Sequence, residues 1–60
     1  MTEFYVVKVT KNNSELMEIL IAHNEMEARK QAVQKYMKLA LSCTTQLAVV
    51  TKAVYEKKYN

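Results

Sequence analysis

"FYVVKVTKNNSELMEILIA", residues 4–22, decides the fold. Two runs rich in Val, Ile, Leu, Phe and Tyr, residues 4–10 and 15–22, have strand composition and flank a polar "KNNSE". They read as a hairpin, yet the whole chain contains no glycine and no proline to turn it. Asn is the best substitute where φ is positive, because its short amide bonds locally and offsets the steric cost. Asn12 and Asn13 are therefore expected to make the turn, with Ser14 completing a three-residue loop. Parity then sets Lys11 opposite Glu15, Val9 opposite Met17, Lys8 opposite Glu18, Val7 opposite Ile19, Val6 opposite Leu20 and Tyr5 opposite Ile21. One side of this hairpin (Tyr5, Val7, Val9, Met17, Ile19, Ile21) is wholly apolar. The other mixes Phe4, Val6 and Leu20 with the opposed charges Lys8 and Glu18.

Next, "NEMEARKQAVQKYMKLAL" predicts a helix over residues 25–41. Asn24 is a favourable N-cap, and Glu27 stands three residues later as in a capping box. Glu25 and Glu27 in the first turn, and Lys35 and Lys38 toward the end, suit the helix dipole. At 100° per residue, Ala28, Ala32, Val33, Tyr36, Met37, Leu39 and Ala40 form one broad apolar face. Lys30, Gln31, Gln34, Lys35 and Lys38 form the opposite one, and Arg29 falls inside the apolar arc.

The remaining "TTQLAVVTKAVYEKKYN" reads as a third strand over 45–55 followed by a short charged tail. Both of its faces are mostly apolar, so parity leaves open which one points inward. The order strand, strand, helix, strand predicts an α+β fold of ββαβ type over a single domain, residues 1–60. Its three-stranded antiparallel sheet has the first strand central and one helix packed on one face. The second face is then expected to carry Phe4, Val6, Leu20, Val50 and Val54 among Lys8, Glu18 and Lys52. One helix does not cover two apolar faces.

Composition narrows the function classes. Sixty residues bury only about 60% of the surface their unfolded chain exposes, so stability is modest. With a single cysteine, Cys43, there is no intrachain disulfide, which fits a reducing cytoplasm. "MTEFYVVK" lacks the basic n-region of a signal peptide, and no apolar run reaches the roughly 20 residues of a membrane span. The chain reads as soluble and intracellular. Nine Lys and Arg stand against six Glu, with no Asp and with the excess in the second half, where it attracts anionic partners.

Without glycine there is neither a P-loop nor a dinucleotide-binding turn. No acid–base carboxylate pair stands out, and one His with one Cys makes no zinc site within the chain. His23 and Cys43 fall at opposite ends of the expected helix, roughly 27 Å apart for 18 residues, too far for a nucleophile and its base. No enzyme, cofactor or metal is expected. The basic helix face of Lys30, Lys35 and Lys38 reads first as a solvated surface and second as a grip on phosphates.

The combination "FYVVKV", a short turn, "MEILIA", "EARKQAVQKY" and a final strand with "VTK" resembles the very small inhibitors of bacterial RNA polymerase made by lytic podoviruses. In that family the helix likewise carries a Glu-Ala, an Ala four residues on and a Tyr four after that, here Glu27, Ala28, Ala32 and Tyr36. Some small anti-CRISPR proteins share the same plan. The polymerase inhibitors dock through two arginines on the last strand; Lys52 takes the place of the first, and the second falls on Val54. The resemblance implies a phage-encoded binder of a host machine, RNA polymerase or a defence system, acting in the cytoplasm of the infected bacterium. The residues expected to meet that partner are Phe4, Val6, Lys8, Glu18, Leu20, Val50, Lys52 and Val54, with Arg29 as an outlying anchor. The alternatives are a small nucleic-acid-binding module and a homodimer that pairs its open faces. No membrane partner is expected.

Overall fold

A computed structural model describes residues 1–59. It comprises β1 (Thr2–Thr10), β2 (Asn13–Ala22), α1 (Glu25–Lys35), α2 (Met37–Ala40), β3 (Gln46–Thr51) and α3 (Lys52–Lys58). The three strands form one antiparallel sheet in the order β2-β1-β3, an α+β fold with the first strand central. β1 contributes three of the buried core residues, Phe4, Val6 and Val7, and among the described residues it alone is bonded along both edges, as a central strand is.

The hairpin turns more tightly than the asparagines suggest. Thr10 pairs with Asn13, leaving only Lys11 and Asn12 in the loop, and no described residue has a positive φ. The turn is held instead by local bonds: the Thr10 hydroxyl donates to the Asn13 carbonyl (3.2 Å), and the Ser14 N–H donates to Asn13 Oδ1 (2.9 Å). The register shifts accordingly. Val9 faces Ser14, Lys8 faces Glu15 and Val7 faces Leu16; then, after a bulge, Val6 faces Glu18, Tyr5 faces Ile19 and Phe4 faces Leu20. Met17 is the extra residue of that bulge. A bulge absorbs an odd register shift, so side chains beyond it keep their faces while Leu16 and Met17 exchange theirs.

α1 covers the side of the sheet that alternation leaves open. Phe4 (3% exposed) and Val6 (0%) lie beneath it with Ala22, Ala28, Ala32 and Val49; Met17, Leu20, Tyr36 and Leu47 pack around them. Ala28 and Ala32 stand one turn apart on the buried stripe, and their small size lets the helix approach the sheet closely. Asn24 caps α1 by accepting the Glu27 N–H (2.8 Å), a contact worth about 1 kcal/mol in helices generally. The continuous helix expected over 25–41 breaks at Tyr36 (φ −121°, ψ 44°), where the ring packs on the core, and α2 is a separate single turn.

The C-terminal segment departs most from expectation. The strand read over 45–55 stops at Thr51, and residues 52–58 form α3. Thr51 is its N-cap, accepting the Val54 N–H (3.4 Å), and Lys57 and Lys58 sit in its last turn, where cations suit the dipole. Tyr55 brings α3 down on the second face of the sheet: its ring lies 5.0 Å from that of Tyr5 and 6.3 Å from that of Tyr59. Val7, on the same face as Tyr5, is fully buried. The sheet is thus covered by α1 on one side and partly by α3 on the other, not by a single helix.

Candidate protein-binding surface

The residues expected to meet a partner do not share one surface. Phe4 and Val6 belong to the core under α1, and Leu20 packs against them, so the side of the sheet assigned to a partner is occupied by the chain's own helix. Glu18 lies on that side, opposite Val6, and one of its carboxylate oxygens accepts a hydrogen bond from the Lys35 ammonium of α1. Its other oxygen is buried with no hydrogen-bond partner among the described residues. Lys8 is half-buried opposite Leu47. Val50 lies on the other face, opposite Tyr5, and Lys52 and Val54 are exposed on α3.

The basic helix face changes in the same way. Lys30 and Lys38 are exposed, but Lys35 is tied to Glu18. The carboxylate beside it raises the Lys35 pKa above its ordinary 10.5, so the ammonium is charged at neutral pH. Arg29 is exposed and bonded to Glu25 one turn earlier (2.9 Å), an ordinary surface pair on the flank of α1 nearest β3.

A different surface is left open. On the α3 side of the sheet, Leu16, Ile19 and Ile21 of β2 point the same way as Tyr5 and Val7. They are 39%, 48% and 60% exposed, because α3 lies over β1 and β3 and stops short of β2. Alternation assigns Ile19 and Ile21 to a buried side, and Leu16 joins them through the bulge at Met17. The Ile-x-Ile spacing in "EILIA" carries a signal for this strip; nothing in it says that the covering helix falls short.

At the opposite end of the chemistry scale, His23 and Cys43 are both exposed and do not meet. His23 instead bonds Glu27: ring Nδ1 lies 3.0 Å from Glu27 Oε2, which also accepts the His23 backbone N–H (3.2 Å). These two bonds, the side-chain one foremost, hold the Glu27 carboxyl below its ordinary 4.5. A carboxyl depressed in the folded state stabilises the fold above its unfolded pKa, and that contribution disappears as pH falls through the folded value. The urea midpoint of the wild-type chain should therefore fall more steeply than that of Glu27→Gln on going from about pH 6 to about pH 3. Parallel profiles would show the contact to be inconsequential.

Among the described residues no three His, Cys, Asp or Glu side chains gather as a metal site requires, and no helix is long and apolar enough to cross a membrane. The arrangement defines a small α+β protein whose distinctive surface is apolar and lies beside the edge of a sheet. No protein-family model, curated protein or solved structure matches the chain.

Proposed function

We propose that this chain is a non-enzymatic binding protein that docks on a bacterial host complex and inhibits or redirects it by occupying a functional surface. The observation that carries this is the strip of Leu16, Ile19 and Ile21, three large apolar side chains exposed together on an edge strand. Exposed apolar groups clustered on one surface are the usual mark of a protein contact, whereas isolated ones are commonplace. Desolvating them on a partner provides the driving force, and the polar rim of Ser14 and Glu3 on the same face provides orientation. Host takeover by a phage-encoded protein, in the cytoplasm of the infected cell, is supported by the resemblance in strand, strand, helix, strand order as far as Thr51 and in the Glu27, Ala28, Ala32 and Tyr36 pattern. Lys52 lies on α3 and not on a final strand, so the polymerase-docking motif does not carry over, and the partner is kept to the class of a host protein complex.

The test is capture from bacterial lysate by the immobilised chain. One host complex is expected at near-stoichiometric yield, and it should be lost with Ile19→Lys/Ile21→Lys while the far-UV circular dichroism stays native. Recovery of nothing, or equal recovery by the variant, would remove the proposal.

A further inference from the structure

The second edge of the sheet carries its own groove, of about 420 Å³. Four consecutive residues of β3, 47–50, line it from both faces, so it follows the strand's free edge and neither flat side. Arg29 and Val33 of α1 wall it on one side of the sheet, Lys58 and Tyr59 at the end of α3 on the other. β3 is paired only with β1, and its outward N–H and C=O groups have no backbone partner among the described residues.

Natural sheets guard a free edge with charges, prolines or bulges, because an open ladder pairs with any extended chain. β2 is guarded in this way by the Met17 bulge and by Glu15 and Glu18. β3 has none of these devices: "QLAVVT" carries no charge and no proline, and its register with β1 runs without interruption. We infer that the edge of β3 receives an extended, acidic segment of a partner protein as a fourth strand, walled by α1 and the end of α3. The ladder supplies main-chain hydrogen bonds, and side chains alternate between the Val33 wall and the Tyr59 wall. Charge selects the segment. Among the described residues that line the groove, Arg29 and Lys58 stand one on each wall and one carboxylate, Glu25, pairs with Arg29; the net charge of these lining residues is positive and favours carboxylates, whereas a second copy of the chain would bring like charges together.

This rests on the reading of the chain as a protein binder, although it uses the opposite edge from the Leu16, Ile19 and Ile21 strip. The probe is a fluorescein-labelled nonapeptide of alternating Val and Glu, blocked at both ends, followed by anisotropy. Saturable binding is expected, and it should weaken at least about tenfold in three controls: Lys in place of Glu in the peptide, Arg29→Gln/Lys58→Gln in the chain, and N-methylation along one peptide edge. Ile19→Lys/Ile21→Lys should bind the peptide like wild type. Lack of saturable binding, equal binding of the Lys peptide, insensitivity to N-methylation, or loss in the β2 variant would each overturn the assignment. So would sedimentation of the free chain as a dimer whose residue 47–50 amides are protected from exchange. Peptide binding without any lysate partner would defeat the proposed function and leave this edge assignment standing.

Discussion

Phe4→Ala should leave most of the protein unfolded at room temperature, with loss of the cooperative thermal transition seen by circular dichroism. The side chain is 3% exposed and is the largest of those buried between α1 and the sheet. Emptying such a site costs about 3–5 kcal/mol, the lost transfer free energy plus the cavity left behind. A domain of this length is stable by roughly 3–9 kcal/mol, and one that buries so small a share of its surface sits toward the low end, so the one substitution removes most or all of the margin. Ile21→Ala is the matched control. That residue is 60% exposed on the other face, and its loss should change stability by no more than about 0.5 kcal/mol. The hairpin's alternation taken alone predicts the reverse ranking, with Ile21 inside and Phe4 open to a partner. A native-like melt for Phe4→Ala would show that α1 does not cover the face described here.

Tyr55→Ala should lower stability by about 2 kcal/mol and raise binding of a hydrophobic dye. Tyr55 carries α3 onto β1, its ring tilted against that of Tyr5 at 5.0 Å and flanked by Tyr59. Tilted aromatic pairs contribute about 0.5–1.5 kcal/mol beyond the area they bury. Without the ring, α3 is a seven-residue helix that has lost its aromatic contact with β1, and helices so short depend on tertiary contacts to persist in water. Val7, now fully buried, would then be open to solvent, which is what the dye reports. The far-UV spectrum should lose a small helical component at the same time. Unchanged dye binding and an unchanged melting midpoint would mean that the C-terminal segment does not roof the sheet.

Both results bear on which surface is available to a partner. With α1 over Phe4 and Val6, and α3 over Tyr5 and Val7, the large apolar side chains that the sheet itself leaves exposed between Phe4 and Thr51 lie at the β2 margin, at Leu16, Ile19 and Ile21. Two apolar sheet faces and one long amphipathic helix correctly imply surplus apolar surface. They do not locate it, because the chain covers part of the second face itself. Glu18 and Lys35, each assigned to a partner when taken singly, satisfy one another across the sheet and helix instead. That contact joins residues 17 positions apart, and no local spacing encodes it.

The amino-acid sequence determined by itself the hairpin, the capped start of α1 at Asn24, the antiparallel sheet and the central place of β1. Each follows from a strong local pattern: apolar runs broken by asparagines, an N-cap with its acidic first turn, one strand apolar on both sides. Only the tertiary structure decided which face α1 covers, where the bulge falls and what the last residues become. Both faces of the hairpin are apolar, so burial energy alone barely separates them; Ala28 and Ala32 resting on Phe4 and Val6 settle the choice. In "TKAVYEKKY" the same residues satisfy alternation and the spacing of Tyr55 with Tyr59, and the seat offered by Tyr5 makes that segment a helix.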